Sequence, residues 1–213
     1  AIEVNGTKIT AQAGAMLSKI ANTAAANGLG GMEFAAGIPG SVGGAVVMNA
    51  GAYGGEIKDI IEKAYVLDEN GKQLELSKEE LDLSYRHSCI PEKKYIVTKV
   101  VLELQPQDEA VIRSKMKELS EKRAEKQPLQ YPSAGSTFKR PEGYFAGKLI
   151  MDAGLRGYQV GGAQVSEKHC GFVINKGEAT AADICRLMQD VSDKVQAQFG
   201  VVLEPEVKMI GEF

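Results

Sequence analysis

Few residues in this sequence could build a disulfide framework, a metal centre or a membrane span. The three cysteines, Cys89, Cys170 and Cys185, are an odd number without metal-ligand spacing, which predicts reduced thiols in a cytosol. No apolar stretch approaches the ~20 residues that a helix needs to cross a bilayer. The opening residues AIEVNGTKIT do not resemble a signal peptide. We therefore expect a cytoplasmic protein that binds no metal and no membrane.

Positive charge is not in excess either. The chain has 25 Lys and Arg against 28 Asp and Glu, a formal net charge of −3. Charge therefore gives no reason to expect binding to nucleic acid or to an anionic membrane. The one dense charged run, residues 113–127, carries both signs and is typical of a solvated helix face. With 213 residues, the chain can form one large domain or two small ones around a real core.

Glycine is the residue in excess, with 24 copies, many of them in the segment AAGIPGSVGGAVVMNAGAYGG at residues 35–55. Bare backbone can approach a ligand closely and can expose N–H and C=O groups, and Pro39 stiffens the turn. The segment matches neither G-x-G-x-x-G at a helix start nor a P-loop. Two interpretations stay open: contact with a large flat ligand or a phosphate, or close packing that excludes bulky side chains.

Periodicity and turn residues predict a mixed α+β fold. Hairpins are expected around Asn5-Gly6 and Asn70-Gly71. A helix is expected before Asn27-Gly28, with a left-handed cap there. Its predicted buried face carries Met16, Leu17, Ile20, Ala21 and Ala24. Further predicted elements are a charged helix to about Lys126, a short helix capped by Gly154, a strand at 171–175, a helix after Thr180 with Asp183 in capping-box spacing, and a strand-like tail at 201–211.

Composition also changes near Pro106. The simplest division is a β-rich domain over residues 1–105 that is completed by residues 200–213. An α+β domain over residues 106–199 is then inserted in it.

Two segments carry residues suited to chemistry. Arg86, in LSYRHSCI, offers a planar fork for a carboxylate or a phosphate, although a surface arginine in a loop would look the same. Ser136, in YPSAGSTFKRP, sits in a rigid turn. A nucleophile elbow would need glycine where Phe138 stands, so acyl transfer is disfavoured. The alternative for Ser136 is an ordinary turn former.

Charged residues near these segments suggest an anionic ligand. Lys139, Arg140 and Lys148 follow the Ser136 turn. Glu204 and Glu206 flank a proline in LEPEVKMIG, and alternation places them on one side of a strand end. Paired carboxylates can serve acid–base chemistry, and a solvated strand face is the simpler interpretation.

Taken together, six segments resemble the UDP-N-acetylenolpyruvoylglucosamine reductase family, in order along essentially the whole chain. They are GMEFAAGIPGSVGGAVVMNAGAYGGEI, LSYRHS, SAGSTFKRP, FAGKLI, AGLRGYQVGGAQVSEKHCGFVIN and LEPEVKMIG. The resemblance implies the C-terminal part of a vanillyl-alcohol-oxidase-type FAD-binding domain with an α+β substrate-binding domain, of the compact kind found in one branch of the family.

The resemblance also implies a reaction. In this family NADPH reduces FAD, and the flavin passes a hydride to the enolpyruvyl double bond of UDP-N-acetylglucosamine enolpyruvate, giving UDP-N-acetylmuramate for peptidoglycan. By position, Ser136 matches the proton donor, and Arg86 and Glu206 match the residues that stabilise the intermediate. Arg86 can meet the enolate-like dianion bidentately, and Glu206 can help if it stays protonated and donates a hydrogen bond.

The resemblance turns the glycine-rich segment into a wall along the flavin. The residues expected to contact FAD are Gly37, Ile38, Pro39, Gly40, Gly43, Gly44, Ala45, Asn49 and Gly51. The residues expected to meet the UDP pyrophosphate or the sugar are Lys139, Arg140 and Lys148, with Gln164 and Asn175 as further polar candidates. His169 is expected to be structural.

The sequence departs from the family at its beginning. Full members start with a further α/β subdomain whose glycine-rich loop cradles the FAD pyrophosphate, and this chain starts after it. We therefore expect a flavin-free fragment that binds FAD weakly or not at all. Two alternatives remain: an FAD-linked oxidase of the same superfamily that acts on another small molecule, or a nucleotide-sugar-binding module without catalysis. The oligomeric state is not indicated.

Overall fold

A computed structural model describes residues 1–211 of the chain. The backbone forms two compact units, Ala1–Arg123 and Ala124–Phe213. Within the described residues, no helix combines the length and the apolar character that crossing a membrane requires.

The first unit is built on a five-stranded antiparallel sheet in the order β1-β2-β8-β6-β7. The strands of the unit are β1 Ile2–Asn5, β2 Lys8–Gln12, β3 Leu29–Gly30, β4 Gly51–Ala52, β5 Gly55–Glu56, β6 Ile61–Leu67, β7 Gln73–Ser77, β8 Ile96–Glu103 and β9 Gln105–Pro106. Its helices are α1 Leu17–Ala26, α2 Val42–Val47, α3 Ile57–Ile60 and α4 Cys89–Glu92, with a single 3₁₀ turn at Glu33–Ala35. The helix α5 spans Glu109–Lys126.

Both predicted hairpins are confirmed. β1 pairs with β2, and Asn5 lies opposite Lys8, so the two loop residues are Gly6 and Thr7. Gly6 has a φ of +59°, a value that glycine adopts without steric cost. β6 pairs with β7 around a five-residue loop in which the Asp68 carboxylate accepts backbone hydrogen bonds.

The predicted first helix is confirmed as α1, with one correction. Met16 is half exposed, because it is the residue before the helix and has an extended backbone. Its side chain therefore does not share the buried face, whose members are Leu17, Ile20, Ala21, Ala24 and Ala25. Gly28 has a φ of +65°, which is the expected left-handed ending.

The core of the first unit lies between the sheet and the two helices that follow β2. Side chains of β2, β6 and β8 meet those of α1 and α2 in one cluster. Alternation along β2 buries Ile9 and Ala11, and burial of such side chains from water is the main stabilising contribution. The largest fully buried residues of this unit are Ile9, Leu17, Ile20, Met32, Ile57, Leu81, Ile90, Leu102, Leu104 and Ile112.

The second unit contains a four-stranded antiparallel sheet in the order β10-β13-β12-β11. Its strands are β10 Ser133–Ser136, β11 Gln159–Val160, β12 Ala163–Val165 and β13 Phe172–Asn175, and its helices are α6 Ala146–Asp152 and α7 Ala181–Phe199. Ala163, Val165 and Val173 pack with the apolar face of α7. The predicted capping box of Thr180 and Asp183 is present. The predicted strand at 171–175 and the short helix before Gly154 are confirmed.

The prediction of a strand-like tail at 201–211 is wrong. The tail makes one isolated bridge, between Phe138 and Pro205. The Lys139 N–H donates to the Glu204 carbonyl and the Glu206 N–H donates to the Thr137 carbonyl, each at 2.8 Å. These two bonds flank the Phe138–Pro205 bridge and do not involve the Pro205 nitrogen.

The compact units differ from the predicted division at residues 106 and 200. The helix α5 buries Ile112 and Leu119, and an Arg123 guanidinium N–H donates to the Gly37 carbonyl in the first unit. The described part of the tail bonds to residues of the second unit. Residues 212 and 213 of the predicted 200–213 segment lie outside the described residues. The assignment of an FAD-binding and a substrate-binding domain to these ranges stays a prediction.

Candidate active site

The glycine-rich segment folds into a 3₁₀ turn, the short helix α2 and the small hairpin of β4 and β5. Ser41 precedes the first residue of α2, and its hydroxyl accepts a hydrogen bond from the Gly44 N–H at 3.4 Å. Between β4 and β5 the chain turns through Tyr53 and Gly54, which have φ values of +53° and +87°. The segment therefore has a defined conformation built largely from backbone.

Two of the glycines are explained by packing within the chain. A Cβ at Gly43 would lie 2.8 Å from the Ala13 Cβ, and one at Gly51 would lie 2.6 Å from the Glu56 Cγ. Cβ atoms do not approach other heavy atoms this closely without displacing them. The close-packing interpretation therefore applies to Gly43 and Gly51.

Other residues of the segment leave bare backbone that packing does not require. Gly40 has a φ of +144° and nothing within 4 Å of an added Cβ. Pro39 and Gly44 are exposed. Gly37 is also exposed, but a Cβ there would lie 3.3 Å from the Arg123 Cδ. Ile38 is half-buried, and the list of predicted FAD contacts is completed by Ala45, which is buried in α2. A flat ring could lie against this strip, so the residues present fit the flavin ring of FAD.

Asn49 is fully buried, and contacts within the chain account for its side chain. Its Nδ2 atom donates to the Glu56 carboxylate at 2.8 Å and to the Ser84 carbonyl at 2.9 Å, and its Oδ1 accepts from the Lys58 N–H at 2.9 Å. Its φ is +41°. Both amide hydrogens are thus already donated, so a direct contact of this side chain with FAD stays a prediction without structural support.

The structure places Arg86 next to the glycine-rich segment. It lies in a tight turn whose ends, Ser84 and His87, exchange backbone hydrogen bonds. The Arg86 Nη2 lies 3.4 Å from the Gly51 carbonyl, and the guanidinium carbon lies 5.0 Å from the centre of the Tyr85 ring. Arg86 is half-buried, and the contact with Gly51 holds its guanidinium against the glycine-rich segment.

In the second unit, Ser136 ends the edge strand β10 and is exposed. Its hydroxyl lies 3.5 Å from the Phe138 carbonyl, a separation too long for a strong O–H···O bond. The next residue, Thr137, is buried, and its Oγ1 accepts from the Val173 N–H at 2.9 Å. Thr137 anchors the strand end, and Ser136 keeps a hydroxyl that a ligand can reach.

Glu206 is brought to the same strand end. Its N–H donates to the Thr137 carbonyl, and the following bridge pairs Phe138 with Pro205. Two of the three predicted catalytic residues, separated by 70 positions of sequence, are therefore neighbours in the second unit. Sequence reasoning did not identify Thr137, whose buried hydroxyl bond gives no sequence pattern.

Of the three predicted substrate cations, Arg140 and Lys148 are exposed and Lys139 is half-buried, and each has a partner within the chain. Lys139 pairs with Glu204. Arg140 donates to the Tyr144 carbonyl at 3.2 Å, and its guanidinium carbon lies 3.9 Å from the Phe145 ring centre. Lys148 pairs with Asp152 at 2.6 Å. Exposed ion pairs of this kind contribute little stability, so these cations can exchange their partners for a phosphate.

The two polar candidates differ in environment. Gln164 is only 7% exposed, its Nε2 lies 3.3 Å from the Gly157 carbonyl, and its buried Oε1 has no hydrogen-bond partner. Its neighbours along β12 point into the α7 core, so alternation directs Gln164 to the opposite sheet face. Asn175 accepts a hydrogen bond from the Ala179 N–H at 3.1 Å and serves the local turn.

His169 is half-buried and well packed, as a structural role would require. Its Nδ1 accepts from the Gly171 N–H at 3.1 Å, and its ring meets the Phe172 ring edge-on at 5.0 Å. Burial lowers the pKa of His169.

Burial raises the pKa of the free thiols of Cys89 and Cys170, and this disfavours their reactive thiolate form. Among residues 1–211 no group of three or more His, Cys, Asp or Glu side chains could hold a metal ion.

Family models match both units. A model described as an FAD binding domain matches residues 1–77, which include the bare strip. A second model, the C-terminal domain of UDP-N-acetylenolpyruvoylglucosamine reductase, matches residues 127–210, which include Ser136 and Glu206. The two matches thus define the class: a protein with an FAD binding domain followed by this C-terminal domain.

Individual relatives define the family more narrowly. The chain is 68% identical over 205 residues to a UDP-N-acetylenolpyruvoylglucosamine reductase of Agathobacter rectalis, covering 96% of this chain and 65% of the relative. It is 57% identical over 209 residues to that of Caldanaerobacter subterraneus, covering 98% and 69%. The crystal structure of the reductase from Thermus caldophilus superposes with a TM-score of 0.82 at 39% identity, covering 92% of this chain and 71% of that one.

The chain belongs to the UDP-N-acetylenolpyruvoylglucosamine reductase family, which confirms the resemblance and the predicted fold class. It spans about two thirds of the length of the curated relatives it matches.

Proposed function

We propose that this chain carries the catalytic residues of a UDP-N-acetylenolpyruvoylglucosamine reductase, a cytoplasmic enzyme of peptidoglycan precursor synthesis. Its substrate is UDP-N-acetylglucosamine enolpyruvate, and NADPH is the reductant. The observation that supports this best is the backbone bond between Glu206 and Thr137 at 2.8 Å, which joins Glu206 to the residue next to Ser136. The names of the relatives supply the reaction class.

FAD is the cofactor that this reaction requires. The backbone strip of residues 37–40 and 44 fits the flavin ring, and when bound FAD takes a hydride from NADPH and supplies one to the enolpyruvyl double bond. The chain's own contribution at this strip is to exclude bulky side chains and to offer peptide groups to the ring edge.

Ser136 is the proton donor in this proposal. Once the terminal alkene carbon has gained a hydride, the neighbouring carbon is carbanionic and strongly basic. A hydroxyl is a weak acid, but proton transfer depends on how well donor and acceptor are matched, and a strongly basic carbon suits a weak acid. The weak internal contact of the Ser136 hydroxyl leaves it able to reorient toward the substrate.

Arg86 and Glu206 stabilise the charge that develops on the substrate carboxylate. Arg86 offers two parallel N–H groups, which match the two oxygens of a carboxylate. Glu206 supplies a carboxyl group at the Ser136 strand end, where a hydrogen bond to the enolate oxygen would strengthen as charge accumulates. Lys139, Arg140 and Lys148 meet the pyrophosphate or the sugar, with Gln164 as a further polar contact.

Anaerobic half-reactions of the holoenzyme test the function. We expect NADPH to bleach the flavin absorbance and UDP-N-acetylglucosamine enolpyruvate to restore it, with UDP-N-acetylmuramate as the product. Oxygen, added instead of the substrate, should restore the absorbance far more slowly. Rapid reoxidation by oxygen with no response to the enolpyruvyl sugar would identify an oxidase of the same superfamily, and binding of the sugar without reoxidation would identify a binding module.

A further inference from the structure

Residues 47–51, at the end of the glycine-rich segment, are fastened to the turn that carries Arg86 by three side-chain hydrogen bonds. The Asn49 Nδ2 donates to the Ser84 carbonyl at 2.9 Å, the Ser88 hydroxyl donates to the Val47 carbonyl at 2.7 Å, and the Arg86 Nη2 lies 3.4 Å from the Gly51 carbonyl. The first two bonds involve fully buried side chains. The contacts span 35 to 41 positions of sequence, so they join parts of the chain that local structure would leave independent.

Both the backbone conformation and the side-chain contacts of Asn49 fix the orientation of its amide. A φ of +41° is uncommon for a residue with a side chain, and asparagine tolerates it better than most. The Lys58 N–H and the Glu56 carboxylate hold the amide from the other side. The amide is therefore fixed in orientation, with one hydrogen directed at the Ser84 carbonyl.

The Arg86 turn needs such support. Arg86 has a φ of +55°, in the left-handed region where a non-glycine residue is strained. A strained turn persists only when its surroundings determine it, and its two flanks are held by Asn49 and Ser88. Small misplacements of a catalytic group reduce rate strongly, because the reacting atoms and the stabilising charge must be aligned.

We propose that Asn49 is a positioning residue for Arg86: it holds the turn of residues 84–87 against the glycine-rich segment so that the guanidinium faces the substrate carboxylate. This inference rests on the proposed function, because it assigns Asn49 a role only through Arg86. It replaces a direct contact between the Asn49 side chain and FAD.

The test compares half-reactions of the full-length holoenzyme by rapid mixing. The variant is Asn49→Gly, because glycine keeps the left-handed backbone without strain and removes all three amide contacts. We expect reduction of the enolpyruvyl sugar to slow by about 10- to 100-fold, with the rate of flavin reduction by NADPH and the flavin absorbance spectrum unchanged. In an Arg86→Ala background the same substitution should change substrate reduction less than about 2-fold, since effects that act through a shared partner are not additive.

A matched control is Thr98→Val, which removes a side-chain bond of the same kind, from Thr98 to the Tyr65 carbonyl at 3.1 Å. Thr98→Val should lower the thermal midpoint of unfolding. The rates of both half-reactions should stay unchanged. If Asn49→Gly does not fold, Ser88→Ala removes the bond on the other flank and should show the same selective loss.

Two results would overturn the positioning role alone: an equal loss from Asn49→Gly with and without Arg86, or a changed flavin spectrum, which would identify a cofactor contact. A normal rate of substrate reduction in Arg86→Ala itself would overturn the proposed role of Arg86 as well.

Discussion

At the scale of single residues, Ser136 illustrates how a reactive group is kept available. Its neighbour Thr137 is buried and satisfies the Val173 N–H, and this fixes the strand end without using the Ser136 hydroxyl. The exposed hydroxyl makes one weak contact, to the Phe138 carbonyl. Thr137 thus fixes the strand end, and the adjacent Ser136 keeps its hydroxyl available for the reaction.

Replacing Ser136 by alanine should remove proton donation and little else. We expect Ser136→Ala to slow reduction of the enolpyruvyl sugar by about 10² to 10⁴-fold, the usual contribution of a positioned acid, with flavin reduction by NADPH unchanged. Stopped-flow absorbance of the two half-reactions measures both rates. Ser133→Ala, at the other end of the same strand, is the control and should leave both rates intact. Normal turnover in Ser136→Ala would remove Ser136 from the mechanism.

Glu206 can be tested by what its side chain donates. If it stabilises the intermediate as a hydrogen-bond donor, Glu206→Gln keeps a donor at the site, whereas Glu206→Ala loses it. We expect the alanine variant to lose about 10² to 10³-fold in the rate of substrate reduction and the glutamine variant to lose less. Steady-state kinetics of the two variants side by side measure the difference. Equal losses in both would show that the negative charge of Glu206 is what the reaction needs.

At the scale of elements, the helix α2 combines two kinds of glycine in adjacent positions. Gly43 faces Ala13 at a distance that admits no side chain, and the Gly43 N–H donates to the Ala13 carbonyl at 2.9 Å. Gly44 is exposed, and an added Cβ would meet only the Ser41 hydroxyl, at 3.7 Å. One short helix thus carries a glycine required by packing and a glycine that packing does not require.

A pair of alanine substitutions separates these roles, each variant serving as the control for the other. Gly43→Ala should lower the free energy of unfolding by about 1 to 3 kcal/mol, because the added methyl overpacks a closed contact. Gly44→Ala should leave folding stability equal or slightly higher, since alanine favours helix, and should weaken FAD binding if the bare backbone lies along the ring. Denaturant unfolding and flavin titration measure the two quantities. Unchanged FAD affinity in Gly44→Ala would contradict contact at this point of the strip.

Sequence patterns predicted the elements well where local chemistry decides them. The hairpins, α1, α7 and its capping box follow from turn residues, helical periodicity and the Thr180–Asp183 spacing. The pattern failed for Met16, which precedes the helix instead of belonging to it, and for the tail, which makes one isolated bridge instead of a strand.

The site was predicted unevenly for a related reason. Arg86, Ser136 and Glu206 were found through the family resemblance, and the structure adds that Glu206 lies beside the Ser136 strand. The contacts of Asn49 with Ser84 and Glu56 could not be predicted, because they depend on which distant carbonyl a buried amide meets. The sequence also does not show whether packing requires a given glycine. Only the contacts around Gly43 and Gly44 show that packing requires the first and not the second.

At the scale of the whole molecule, the share of the relatives that the chain covers bears on cofactor affinity. The residues that fit FAD provide backbone for its ring, while the chain spans about two thirds of the length of its curated relatives. We expect the 213-residue chain alone to bind FAD at least 100-fold more weakly than a full-length relative, a loss of about 2.7 kcal/mol in binding free energy. Isothermal titration of both proteins with FAD measures this. Equal affinities would show that this chain holds every group that FAD needs.

The left-handed backbone at Arg86 carries a wider consequence. At a φ of +55°, glycine would relieve a conformational cost of about 1 to 2 kcal/mol. The residue that would make this turn most stable is therefore one that cannot bind a carboxylate. Selection for thermal robustness alone would therefore tend to erase the guanidinium. Engineering that aims to raise the thermal stability of this enzyme has to keep Arg86 and its strained backbone.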